Sequence, residues 1–254
     1  MNYKTYPNLT EFRALIAELN GNIPSGKYLL EWSLAVESGW DDKEFEELYE
    51  AYVKSTQIDI KPGDDPAELK GRPLESVGRY FLEKGGLAYD IKEISDPGKW
   101  QVDGCGPVNK TAILLCWGED LCQRIGIQLY MEAKNHSDPV ENSEFSEHYR
   151  RMEDHHCNLG VMISTSGYKI GRGKGIAESV YINSCKNRFH VLLVFQSLTA
   201  VINKQKPPLI VIQEALVHAC NNTYTHDKKI QKYYSQETCQ EAATTEYKRI
   251  SSLN

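Results

Sequence analysis

The sequence predicts an α/β protein, an α/β/α sandwich on a mixed central sheet preceded by a small helical segment. Three observations predict it. Apolar residues recur first at helical spacing, then in short β-type runs that alternate with charged helical stretches, the element order of helices packed on both faces of a sheet. A breaker-rich stretch, Lys61-Pro62-Gly63-Asp64-Asp65-Pro66, divides the chain into an N-terminal segment, residues 1–66, and a larger domain, 67–254. The 254 residues, 41% apolar and 25% charged, suffice for one large core with a small attachment.

The segment 1–66 reads as helices. Asn8 or Thr10 caps the first, which runs to Glu18 with Phe12, Leu15, Ile16 and Leu19 at helical spacing. Tyr28–Glu37 is the second, stopped by Gly39. Asp41-Asp42 opens the third, with Phe45, Leu48, Tyr49 and Tyr52 on one face and acidic residues on the other. The segment carries 13 acidic and 6 basic side chains, a net of −7, which leaves +1 to the rest of the chain. Its acidic face is either a solvated surface or a place for a protein partner, a self-restraint on the larger domain or a dimer contact.

In the larger domain, Pro73–Leu82 is a helix with proline in its first turn and an apolar face of Leu74, Val77, Phe81 and Leu82; Gly85-Gly86 ends it. Leu87–Ile94 reads as a strand, and Trp100–Asp103 as an extended piece leading to a turn at Gly104. Thr111–Trp117 and Ile125–Ala133 read as strands of an antiparallel hairpin. A charged helix, Glu141–His156, precedes the strand Gly160–Ser164; a helix, Gly175–Asn187, precedes the strand Phe189–Phe195. Helices follow around Thr199–Asn203 and Leu209–Ala219, then a polar tail.

No apolar run approaches the roughly 20 residues needed to cross a bilayer, and the chain opens without a secretory signal, so a cytoplasmic protein with no membrane partner is expected. The seven cysteines form no C-x-x-C pair and are expected to be reduced; His155-His156-Cys157 gives adjacent residues rather than the spaced ligand pairs of a zinc site.

The residues that carry chemistry are Asp103 and Glu132-Ala133-Lys134, with Glu75 upstream. Positions two apart on a strand share a face, so Glu132 and Lys134 project side by side. With Asp103 on a neighbouring strand, its carboxylate, the Glu132 carboxylate and the Ala133 carbonyl form a hard-oxygen set suited to Mg²⁺. Lys134 then stands where it can orient or deprotonate a water attacking a phosphodiester. An exposed ion pair at a strand end is the alternative for the same tripeptide. Tyr168–Gly175 holds Lys169, Arg172 and Lys174 among three glycines before a helix, a combination suited to phosphate contacts, or else a flexible solvated loop. Histidines 136, 148, 155 and 156 lie near the site in sequence, and His136 is expected in a surface or supporting role rather than a catalytic one. Glu141, Glu144, His148 and Arg151 share a helix face, from which Glu144 is in range of a metal or Lys134.

Residues 71–203 resemble the catalytic domain of Mrr-type restriction endonucleases within the PD-(D/E)xK nuclease superfamily. The features are Leu87–Gly104, Tyr130–Asn135, a charged helix, and Gly160–Tyr168 with its Ser164-Thr165-Ser166-Gly167 turn. The resemblance implies a restriction-endonuclease-like fold, with Glu75 as the helix glutamate, Asp103 and Glu132 as the acidic metal-binding positions and Lys134 as the catalytic lysine. Ser166 of the turn joins Lys169, Arg172 and Lys174 as the expected nucleic-acid contact. Val102 stands where the superfamily name has proline, and Glu132 where Mrr proteins often have glutamine. The 29 positions from Asp103 to Glu132 imply an insertion, at Cys105–Lys110 or Gly118–Arg124.

The expected activity is Mg²⁺-dependent cleavage of DNA, with Mn²⁺ as substitute, in restriction or phage defence. The expected partner is double-stranded DNA, and many of these nucleases cut as homodimers. Two alternatives stand beside it: a nuclease-fold binding or assembly module that needs a partner or activator, and a nuclease for RNA or single strands.

Overall fold

The computed structural model describes residues 28–96, 100–170 and 175–252. The helix expected from Asn8 or Thr10 to Glu18 lies outside the described residues. Two helices open the described chain. The first, α1 (Leu29–Glu37), is followed by α2 (Asp42–Ser55), which Asp41 caps by accepting the Glu44 N–H at 2.8 Å. A single π-helical turn, Ala67–Gly71, runs directly into α3 (Arg72–Glu83).

The sheet is mixed, in the order β1-β2-β3-β4-β5. Its strands are β1 (Lys92–Asp96), β2 (Trp100–Pro107), β3 (Gln128–Lys134), β4 (Leu159–Ser164) and β5 (Phe189–Val194). β1, β2 and β3 pair antiparallel, whereas β3, β4 and β5 run parallel. The parallel crossovers are made by α6 (Asn142–Asp154) and α7 (Ala177–Cys185). After β5 come α8 (Phe195–Ile202), α9 (Pro208–Cys220), two short helices, α10 (Thr223–His226) and α11 (Lys228–Tyr233), and finally α12 (Gln236–Ser251). The polar tail is therefore helical.

Strand alternation divides the core. Leu129, Met131, Val161, Ile163, Val191 and Leu193 face a layer built from α1, α2, α3, α8 and α9. Tyr130, Met162, Leu192 and Val194 face α6 and α7 through Phe145, Met152 and Val180. The helices of the 1–66 segment are part of the first layer. Phe45, Tyr49, Tyr52 and Val53 of α2 are all but fully buried in the same cluster as the sheet residues. At about 1.5–3 kcal/mol for each large apolar side chain buried, α2 is a major contributor to that core.

The structure corrects two local expectations. Thr111–Trp117 is a helix, not a strand: α4 spans Lys110–Trp117 and α5 follows at Glu119–Arg124. The Asn109 side chain caps α4 by accepting the Ala112 N–H at 3.1 Å, and Gly118, at φ 90°, stops it. A short continuous apolar run has no periodicity by which to choose helix or strand, and the cap decides. The expected hairpin is thus absent, and β3 pairs with β2. Secondly, there is no turn at Gly104. β2 continues to Pro107, while regular pairing of β1 begins only at Lys92, with Ala88 earlier forming a lone bridge to Val108.

Two glycines set how closely the helices approach the sheet. A Cβ on Gly78 of α3 would lie 2.7 Å from the Ile163 side chain, and one on Gly160 of β4 would lie 2.6 Å from His148 Nε2 of α6. Glycine there lets α3 and α6 lie close against the sheet from opposite faces. Glu75, one turn before Gly78, and Arg151, three residues past His148, are carried in with them.

Candidate active site

The pairing of β2 with β3 ends at Gly104 and Met131. Just there β2 is bulged, since the two-residue step from Lys92 to Ile94 of β1 is matched by the three-residue step from Cys105 to Val102. A bulge re-aims a side chain and ends regular pairing. Here it lies at Asp103-Gly104, and Asp103 Oδ2 accepts the Ala133 N–H at 2.6 Å. The Asp103 carbonyl in turn faces Arg79 Nη1 at 3.5 Å.

On β3, Tyr130, Glu132 and Lys134 share the face toward α6. The Tyr130 hydroxyl donates to Glu132 Oε2 at 2.6 Å, and Lys134 Nζ lies 2.8 Å from Glu132 Oε1. Arg151 Nη1 reaches Glu132 Oε2 at 3.3 Å, and its Nη2 bonds Glu147 at 2.5 Å. The side chains of Glu132 and Lys134 are 8% and 27% exposed. The pair is therefore not the solvated strand-end ion pair that the tripeptide also allowed. Glu75 on α3 is buried, and its Oε2 has no hydrogen-bond partner.

The charges of these groups act on one another. Burial, then the charge of Glu132, pushes the Asp103 carboxyl up to about 7, against the opposing Ala133 N–H. Burial also raises Glu75, against the Arg79 and Arg72 guanidiniums, with Glu93 and, least, Glu132 adding to it. Burial by itself would lower the Lys134 ammonium, but the adjoining Glu132 carboxylate outweighs it and the net direction is up. Lys134 and Arg151 both compensate Glu132, whereas the raised Asp103 carboxyl is a group whose charged form a divalent cation would favour.

Among the described residues, no three His, Cys, Asp or Glu side chains already form a metal-binding group. The donor set fits Mg²⁺ nonetheless, because that ion is usually held by one or two carboxylates and keeps several waters. Asp103, Glu132 and the Ala133 carbonyl are the oxygens that would hold it, with Asp103 set against Ala133 by its bond to that residue's N–H.

The end of β3 is held from two sides. Thr165 N–H of the Ser164–Gly167 turn donates to Lys134 O at 3.0 Å, and Thr165 Oγ1 donates to Asn135 Oδ1 at 2.8 Å. Asn135 Nδ2 donates to Ser55 Oγ at 3.0 Å and to Lys70 O at 2.7 Å, while the Tyr52 and Thr165 hydroxyls are 2.9 Å apart. The 1–66 segment thus touches the residue next to Lys134 through Ser55, and the turn that holds it through Tyr52. Ser166 is buried, and its hydroxyl donates to His136 O at 2.5 Å. Lys169 is exposed and paired with Glu141 at 2.7 Å; Arg172 and Lys174 lie outside the described residues.

His136 bonds Glu144 at 3.2 Å, and Glu144 also caps α6 by accepting the Glu141 N–H at 3.0 Å, so Glu144 acts on Lys134 through its charge. A polar pocket lined by Gln57, Lys70, Asn135, His136, Thr165 and Gln240 opens beside the strand end.

Sequence reasoning brought Asp103, Glu132, Ala133 and Lys134 together, as the structure does, with Glu75 close enough to act on the carboxylates. It passed over Tyr130 and the clamp formed by Tyr52, Ser55, Asn135 and Thr165, and it placed Arg151 on the right helix face without a partner. For Tyr130 a signal existed: it stands two positions before Glu132 on the same strand face. Comparisons with protein-family models, curated proteins and solved structures find no match for this chain.

Proposed function

We propose that this chain is a divalent-metal-dependent DNA endonuclease of the PD-(D/E)xK superfamily, Mrr-like, with a restriction-endonuclease-like fold. The observation that carries the reading is the gathering of Asp103, Glu132, Ala133 and Lys134 where β2 and β3 part, with the Asp103 carboxyl pushed up to about 7 by burial and by Glu132. The element order supports it too. A helix bearing Glu75, three antiparallel strands, a helix and a parallel strand follow one another as the resemblance implies, and the insertion between Asp103 and Glu132 is the helix pair α4–α5.

Asp103, Glu132 and the Ala133 carbonyl would hold Mg²⁺, or Mn²⁺ in its place. When bound, the ion supplies Lewis-acid neutralisation of charge at the scissile phosphate. Lys134, kept protonated by Glu132, donates hydrogen bonds to the attacking water and to the phosphate oxygens as negative charge builds on them. A raised ammonium makes Lys134 a poor base, so its role is orientation and charge stabilisation. The resemblance gives Glu75 a catalytic role beside these residues; burial raises its carboxyl, and its Oε2 has no hydrogen-bond partner. Arg151 and Tyr130 hold Glu132 in place. A homodimer would cut both strands. A role in restriction or phage defence follows from the resemblance.

The test is cleavage of methylated and unmethylated plasmid with Mg²⁺, Mn²⁺ or EDTA, with single-stranded DNA and RNA as competitors. Metal-dependent cutting lost in Asp103→Ala and in Lys134→Ala supports the reading. A folded wild type that binds DNA and cuts nothing supports a binding module instead.

A further inference from the structure

Two thiols that this chemistry does not use face each other beside the site. Cys105 is in β2, two residues past Asp103, and Cys157 lies in the turn between α6 and β4. His156, at φ 54°, reverses the chain there, and the Cys157 N–H donates to Met152 O at 2.8 Å. The two Sγ atoms are 4.0 Å apart although the residues are 52 positions apart in sequence. Cys105 is partly exposed and Cys157 buried, and both belong to a small apolar cluster with Val102, Tyr130 and Met152. One accessible and one shielded thiol in contact make an attacking and a resolving pair.

We propose that Cys105 and Cys157 are a reversible dithiol–disulfide site closed by a hydroperoxide. The Cys105 thiolate attacks the peroxide, the O–O bond breaks, and a sulfenic acid forms on Cys105 as water or an alcohol leaves. Cys157 then attacks the sulfenyl sulfur, the S–O bond breaks, the S–S bond forms and a water departs. Two thiols lose two electrons, the O–O bond takes them up, and both thiol protons end in the departing molecules. An S–S bond is about 2.05 Å long, so the sulfurs must close by roughly 2 Å. The turn carrying Cys157 can supply that movement, since it is held by the three helix-end hydrogen bonds of His155, His156 and Cys157 rather than by a strand ladder. The bond would form against Tyr130, whose hydroxyl donates to Glu132.

The proposal stands apart from the nuclease reading, and its test needs no cleavage. Full-length protein carrying Cys185→Ser, which removes the exposed thiol able to link two molecules, is treated with a small excess of hydrogen peroxide, alkylated and digested with trypsin. The peptides spanning 100–110 and 152–169 are expected to be joined, and to separate on adding a dithiol reductant. Cys105→Ser should abolish the link, while Cys157→Ser should leave Cys105 to run on to sulfinic acid. Alkylation of both cysteines after peroxide, or links spread equally over the other cysteines, overturns the proposal. Should Cys157→Ser not fold, the map of the parent protein decides by itself.

Discussion

Asp103 accepts the Ala133 N–H at 2.6 Å, so the side chain that β2 offers to a metal also fixes the strand bearing Glu132 and Lys134. Its carboxyl is pushed up from 3.8 to about 7 by burial and by Glu132. A carboxyl raised in the folded state costs stability as pH climbs from the unfolded value to the folded one, and the full cost is present above pH 7. Asp103→Asn keeps an acceptor for Ala133 and carries no charge. In the absence of divalent metal it is expected to stabilise the protein at pH 8 by about 2 kcal/mol, a figure discounted for partial exposure, and the gain should shrink toward pH 4. Thermal unfolding of both proteins across that range checks it; a variant less stable at pH 8 contradicts the account.

Lys134 and Glu132 are unequal partners. Removing the lysine leaves Glu132 with Arg151 and Tyr130, so Lys134→Ala is expected to fold with nearly unchanged stability while cleavage falls at least about 100-fold. Glu132→Gln leaves two cations against a neutral amide in a buried place, and is expected to cost about 3 kcal/mol as well as activity. Paired urea unfolding and plasmid cleavage distinguish the two, and equal destabilisation by both would sink the asymmetry.

The 1–66 segment is expected to be indispensable to folding. Phe45, Tyr49, Tyr52 and Val53 fill the core, and Tyr52 and Ser55 bond the turn and strand end around Lys134. Deleting 1–66 should give an insoluble or molten product, rather than the more active nuclease that a simple inhibitory segment would release. Tyr52→Phe, which removes one buried hydroxyl and leaves Thr165 short of a partner, should cost about 1–2 kcal/mol. A deletion product with a sharp unfolding transition and higher cleavage counts against this.

What could be read from the sequence followed from local periodicity. Alternation on β3 put Glu132 and Lys134 on one face, and the runs at Gly160–Ser164 and Phe189–Phe195 gave β4 and β5 nearly to the residue. Alternation is silent where a short run is apolar throughout: Thr111–Trp117 read as a strand, yet it is a helix capped by Asn109 that buries only Ala112 and Ile113. The bulge at Asp103 was hidden as well, because a bulge shows in the pairing of β1 with β2 and not in either strand alone. The clamp on β3 joins Tyr52, Ser55, Asn135 and Thr165 across as many as 113 positions, a separation that no local pattern spans.

The acid limb of stability is expected to come from His148 and His190 rather than from the carboxylates. Both are fully buried on the α6 side of the sheet, with ring centroids 5.6 Å apart, and His148 has no hydrogen-bond partner on either nitrogen. Burial, then the charges of Lys134 and Arg151, holds His148 down to about 3, and burial with His148 beside it lowers His190. Both stay neutral in the fold while the unfolded chain takes up protons below about pH 6.5, so stability is lost as pH falls from there toward the folded values, by up to about 1.4 kcal/mol per unit for each histidine. Asp103 works in the opposite sense between pH 7 and 4, so the parent profile is a sum, and Asp103→Asn is the background in which to see the histidines. Adding His148→Leu, close in volume and free of the orphan nitrogens, should take about one proton out of the slope between pH 6.5 and 4.5. An unchanged slope would place the acid sensitivity elsewhere.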